Sequence, residues 1–396
     1  EDGVITRLAT GIRATADTVI DIPGLHVSPG WVDTLADYAE PGYEQRETIA
    51  SGLAAAAAGG FTDVLLAPNT QPALSGQAAI QYVQQRAMGN AVSLRPIGAT
   101  TRDVAGKELA EMLDMRAHGA IAFSDGWSPV QNAVLMMKAL EYVSAFHGVV
   151  IQIPVDTALS AGGLMNEGPV SVSLGLSGIP HLAETLMVYR DTELARYTGS
   201  RLHISGISCA GSVDIIRRAM AEGVRVTCSV TPYHLALTDE VFRTYNSVYK
   251  VAPPLRADAD RQALIAALLD GTIDCIATHH RPHEWDAKTK ELEYAATGMA
   301  IQQSAFPVIW NTLSSLLSPE RLVQLFSVLP RDIFGLPQAT ITKGAAASLT
   351  LFVPEATTTL SKAQAKSAGI NNPFIGQPLA GRVAGIVNNN KVHLNN

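Results

Sequence analysis

Eight short runs of β-branched and apolar residues recur along the chain, at 30–35, 61–68, 93–99, 119–124, 148–154, 201–206, 224–230 and 272–278. Most are followed by an amphipathic or Ala-rich stretch, among them 44–58, 78–88, 107–117, 132–146, 212–222 and 258–269. A strand–helix alternation repeated eight times favours a closed (β/α)8 TIM-like barrel over an open doubly wound sheet. No GxGxxG follows the first run, which removes the usual dinucleotide-binding turn. In such a barrel the chemistry sits where strands end, so the residues closing each run are the ones to interrogate.

The alternation stops near residue 340. Runs at 347–353, 381–387 and 391–394 read as short strands, as does Thr18-Val19-Ile20-Asp21-Ile22 near the start. The expected organisation is a barrel at 25–340, with 1–24 and 341–396 combining into a small β-sandwich domain. Further strands of that domain are expected before residue 1.

Charge and cysteine usage narrow the function classes. Twenty-nine basic residues against 36 acidic give a net charge of −7, and no basic stripe stands out, so a nucleic-acid partner is not expected. Cys209, Cys228 and Cys275 have no CxxC spacing and read as buried apolar residues of a reducing compartment. The apolar run 54–60 is far shorter than the roughly 20 residues of a membrane span, and no basic-then-apolar leader opens the chain. A soluble cytoplasmic protein follows as the expectation.

Particular segments then carry a resemblance. They are Ser28-Pro29-Gly30-Trp31-Val32-Asp33, Glu40-Pro41-Gly42, Ala56-Ala57-Ala58-Gly59-Gly60-Phe61-Thr62, Pro68-Asn69-Thr70, Phe123-Ser124-Asp125, Met165-Asn166-Glu167-Gly168, Pro253-Pro254-Leu255-Arg256 and Asn372-Pro373-Phe374. In this order and spacing the chain resembles the dihydroorotases and related cyclic amidohydrolases of the amidohydrolase superfamily, over nearly its whole length. The resemblance implies a metal-dependent hydrolase that reversibly closes carbamoyl-aspartate to dihydroorotate in pyrimidine synthesis. It also implies where the ligands should lie, and there the chain departs from the pattern.

The family's His-x-His pair and following Arg match Leu35, Asp37 and Ala39; a later metal His matches Ile153, with Asp156 closing its segment. His203 is kept, but the second position of its motif is Gly206. The catalytic Asp matches His279, and a substrate Asn matches Ala252. Leu, Ile and Gly side chains have no lone pair to give a metal. Asn69, Asp125 and His283 survive.

The expectation from these losses is a non-catalytic structural or regulatory subunit, self-associating and bound to aspartate carbamoyltransferase, with no cofactor. The alternative is an active hydrolase of cyclic amides (dihydroorotate, hydantoin or allantoin) with a rearranged zinc site whose residual ligands would be Asp37, Asp125 and His279. Of the adjacent His279 and His280, at most one faces the interior if both continue a strand. Asn69, His283 and Arg281 are the candidate contacts for an anionic substrate, while Arg256 is expected to brace the 253–255 loop. Ser208 and Ser124 lack a nucleophile elbow, and Tyr233-His234 reads as structural.

Overall fold

The computed structural model describes residues 1–12, 16 and 18–395. Eight parallel strands run in sequential order around one sheet: Trp31–Ala36, Phe61–Leu66, Ser93–Gly98, Ala122–Phe123, Val149–Gln152, Arg201–Ile204, Val226–Val230 and Cys275–Ile276. Seven fall inside the expected runs, and the first, Trp31–Ala36, extends one residue past its run. The edges meet where Ala36 bridges His280, and the Asp37 amide donates to the His280 carbonyl at 2.8 Å. The fold is a (β/α)8 barrel.

Two apolar layers hold it. Leu35, Leu65, Ile97, Ile151 and Ile153 fill the interior, floored by Ile333 and Phe334. A larger layer lies between strands and helices, where Trp31 stacks on Phe326 at 5.1 Å and also packs on Phe306 and Phe352. Aromatic pairs of this kind add about 0.5–1.5 kcal/mol each beyond the area they bury. The first barrel helix, Ile49–Ala58, starts at Thr48, whose side chain accepts from the Ser51 amide while Ser51 caps in return. Its Ala-rich surface allows close approach to the barrel, and Gly52 lies so near the Tyr38 ring that a Cβ would be 2.4 Å from it.

The chain ends supply an antiparallel sheet ordered His26–Pro29, Leu349–Thr359, Pro378–Asn388, Lys391–Leu394. Thr350 anchors it to the barrel, accepting from the Trp31 amide and donating to the Gly60 carbonyl at 2.7 Å. The expected strand at 18–22 does not form: these residues join no strand among the described residues, and Val19 is exposed. Alternation of apolar residues makes a strand only where a partner edge is available, and the edge offered by Leu349–Thr359 is taken by His26–Pro29. No described helix is long and apolar enough to cross a membrane.

Candidate functional site

The C-terminal end of the first strand turns sharply. Leu35 joins the apolar interior, and Ala39 adopts φ +59°. Asp37 is buried and engaged: one oxygen accepts from the Ala39 amide at 2.9 Å, the other from Arg46 at 2.7 Å. Arg281 Nε lies 3.6 Å from that second oxygen without a hydrogen bond of its own, and its guanidinium sits over the Trp127 ring at 5.0 Å. Burial holds the Arg281 pKa below the ordinary guanidinium value, with Asp37 opposing the shift.

Gly206 and His279 are two halves of one feature. Gly206 has φ +76°, and a Cβ built on it would stand 2.3 Å from His279 Cε1. The imidazole of residue 279 therefore occupies the volume that a side chain at 206 would need. His279 itself has φ +48°, and its Nε2 shares a 2.8 Å hydrogen bond with Ser205 Oγ. Ser205 continues to Ser229 at 3.2 Å, Ser229 to His203 Nε2 at 3.2 Å, and His203 Nδ1 to Thr227 at 2.9 Å. A polar thread thus runs up the barrel from His203 to the mouth and ends at His279 Nδ1, which is buried and has no partner. Ser205, Ser229 and Trp127 were not among the expected site residues. The available signal for Ser205 was strand alternation, which puts it on the same face as His203.

His279 and His280 diverge, but not by strand alternation: the strand ends at Ile276 and His279 stands at φ +48°. His279 turns inward, whereas His280 accepts from the Gln302 amide and faces Glu47 at 3.5 Å. Asn69 braces the loop beside it, donating to the Asp125 carbonyl and accepting from the Trp127 amide. His283 donates from Nε2 to the Thr297 carbonyl at 3.0 Å. His234 ties the 253–254 carbonyls to Thr231. Asp125 takes both the amide and the hydroxyl of Thr101, and burial pushes its pKa up to about 6.

Asp37, Asp125 and His279 are consequently not brought together. Among the described residues no three His, Cys, Asp or Glu side chains converge on a point that could hold a metal ion. Both carboxylates spend their oxygens on protein donors, and Leu35, Ile153 and Gly206 offer none. The residues present do not fit the zinc ion that the resemblance implies.

The buried histidines make the fold acid-sensitive. Burial lowers His203, His279 and His283 to about 3 and His234 to about 4. Each is neutral in the fold but takes up a proton on unfolding below its ordinary value near 6.5, so its contribution is lost as pH falls from there. Asp125, Asp191 and Asp274, raised to about 6 by burial, work oppositely between the ordinary carboxyl value and 6. With Asp33, also raised by burial, and His393, also lowered by it, five imidazoles outweigh four carboxyls. Stability is expected to fall by about 1–2 kcal/mol per pH unit between pH 6.5 and 4.5. Urea midpoints across that range check this, and a midpoint that rises on acidification refutes it.

Comparison with known proteins decides the family. Residues 24–212 match the model of a family described as "Dihydro-orotase-like". A protein of Pelotomaculum thermopropionicum named dihydroorotase is 44% identical over 96% of this chain and 90% of its own length. One from Syntrophus aciditrophicus, with the same name, is 42% identical over 97% and 91%. The chain belongs to the dihydroorotase-like family. Among solved structures, L-hydantoinase (dihydropyrimidinase) from Arthrobacter aurescens superposes with a TM-score of 0.87 at 23% identity, covering 99% of this chain and 90% of that one. Dihydropyrimidinase from Brevibacillus agri gives 0.84 at 20%, covering 100% and 90%. At such identities these two establish the family fold.

Kinship this close overturns the expectation of a non-catalytic, non-enzymatic subunit. That expectation counted ligands lost position by position. His279 and Arg281 were already candidates; what the structure adds is that the imidazole at 279 fills the space left by Gly206.

Proposed function

We propose that this chain is a cyclic-amide hydrolase of the dihydroorotase type, working in the cytoplasm in pyrimidine synthesis. The observation that carries this reading is the 44% identity, over nearly the full length, to a protein named dihydroorotase. In the reaction water adds to a ring carbonyl, the C–N bond breaks, the nitrogen takes a proton and a carboxylate is left. Arg281 is suited to hold the substrate's carboxylate, because its guanidinium lies over Trp127 at the mouth and has Asp37 as its ion-pair partner at 3.6 Å. His279 is suited to hydrogen-bond a substrate at Nδ1, because it stays neutral at pH 7 and is fixed at Nε2 by Ser205. Asn69 sets the loop that carries Trp127 beneath the Arg281 guanidinium. No step is assigned to zinc, whose donors this mouth does not assemble. Self-association and contact with aspartate carbamoyltransferase belong to the same proposal and are tested by sizing the protein alone and mixed with the transferase.

Ring opening of dihydroorotate and closure of carbamoyl-aspartate, followed by absorbance with and without added zinc, test the reading. Turnover is expected, and Arg281→Met is expected to lower kcat/KM by about 10- to 100-fold, the equivalent of one charged hydrogen bond. A folded protein that opens neither dihydroorotate, hydantoin nor allantoin under either condition overturns it.

A further inference from the structure

The floor of the barrel carries an arrangement of charge that ring hydrolysis at the mouth does not use. Arg201 opens the sixth barrel strand, and Arg225 stands beside it just ahead of the seventh, since Leu202 pairs in register with Val226. Strand alternation puts Arg201 on the inner face with His203. Both arginines line a cavity of about 330 Å³, whose other walls include Val149, Val226 and Ile333. Arg225 is exposed and Arg201 partly exposed, so a dissolved ion can reach both. A third cation, Arg116, is anchored nearby by the carbonyls of Ala120 and Ile121, each at 3.3 Å.

Among the described residues none of these three arginines has a carboxylate partner, whereas Arg46, Arg95 and Arg331 of the same barrel each have one at 2.7–2.9 Å. Burial and the fields of Arg225 and Arg116 hold the Arg201 guanidinium below its ordinary value, and no acid opposes them. Like charges side by side on neighbouring strands repel and destabilise a sheet. The missing counter-charge is not a matter of supply, in a chain with 36 acidic residues against 29 basic ones. Arg201 has structural work, donating to the carbonyls of His147 at 3.4 Å and of Ile333. Arg225 has none: no described group accepts from its guanidinium, which is left to the cavity.

We infer that this cavity binds a phosphoryl group, free or carried by a small ester, whose oxygens accept from Arg201 and Arg225. A phosphate is favoured over a carboxylate because a dianion offsets two of the clustered positive charges where a carboxylate offsets one. Planar guanidinium forks also match its oxygens. The apolar walls leave room for the body of an ester beside the phosphoryl group. The inference goes beyond the ring-hydrolysis reading and does not rest on it, since none of Arg281, His279 or Asn69 lines the cavity.

The probes are inorganic phosphate, phenyl phosphate and acetate, titrated near neutral pH at constant ionic strength so that general screening is the same for each. Calorimetry and the melting midpoint, which a ligand of the folded state alone must raise, are the readouts. Phosphate is expected to bind at least about tenfold more tightly than acetate, and Arg225→Gln to weaken phosphate at least about tenfold, the loss of one charged hydrogen bond. Without phosphate, the melting midpoint of Arg225→Gln should equal or exceed that of the unaltered protein, because the repulsion on Arg201 is relieved. A midpoint that falls instead gives Arg225 a structural role and removes the ground for a ligand. Phenyl phosphate binding more tightly than inorganic phosphate assigns the apolar walls to an ester body; equal binding assigns the site to free phosphate. Arg281→Met, at the mouth, should leave phosphate binding within about twofold. Phosphate binding that survives Arg225→Gln but is lost in Arg281→Met overturns the site, as does a response to phosphate at about 10 mM no larger than that to acetate.

Discussion

Replacing Gly206 with alanine should destabilise the protein by about 2–5 kcal/mol. A Cβ there meets the His279 ring at 2.3 Å, an overpacking that costs about 1–3 kcal/mol, and φ +76° costs an L residue about 1–2 kcal/mol more. The two contributions separate in a double-mutant cycle. His279→Ala removes the obstructing ring, so the double variant should be more stable than the sum of the single changes by about 1–3 kcal/mol. Urea denaturation of the four proteins measures the coupling. Strict additivity would mean that the imidazole does not occupy the space opposite residue 206.

A larger loss is expected at the barrel floor. Asp63, buried near the start of the second strand, accepts from Arg331 Nη2 at 2.8 Å and from Arg95 Nε at 2.9 Å. Arg331 also donates to the carbonyls of Gly30 and Pro337, so this cluster ties two barrel strands to the closing helix Leu329–Phe334. Asp63→Ala would strand a buried guanidinium and should cost about 3–5 kcal/mol. Arg331→Met keeps volume without charge, and combining it with Asp63→Ala should recover much of the loss, because the penalty lies in the unpaired charge. If the double variant is no more stable than Asp63→Ala alone, the destabilisation comes from lost packing.

The barrel was legible because its strands are buried on both faces and read as continuous apolar runs. The helix Leu182–Thr198 was not. Its buried residues, Ala183, Glu184, Met187, Val188, Asp191, Thr192 and Ala195, follow helical spacing, but three are polar, so hydropathy hid the face. Glu184 is there to receive Ser208, Cys209 and Ser212, a reason visible only once the helix is placed. At the mouth, sequence comparison marked Gly206 and His279 as two separate losses, although side-chain volume exchanged between them. Nothing local links positions 73 residues apart, each just past the end of a different strand. Asp37 and Asp125 failed as metal candidates for a related reason. A carboxylate's residue type is legible, but the amide or hydroxyl that already claims its oxygens is not.

The bridge between Ala36 and His280 has a consequence for how the protein is made. His279 acquires its surroundings only when the last strand closes against the first, so a ribosome must release most of the chain before the mouth exists. Until then the first strand, with Trp31 and Leu35, has one edge unpaired and its apolar side chains without their final cover. Such long-range closure is slow compared with the pairing of neighbouring strands. The nascent chain is therefore most exposed to aggregation late in synthesis, when seven strands are laid down and the eighth has not arrived.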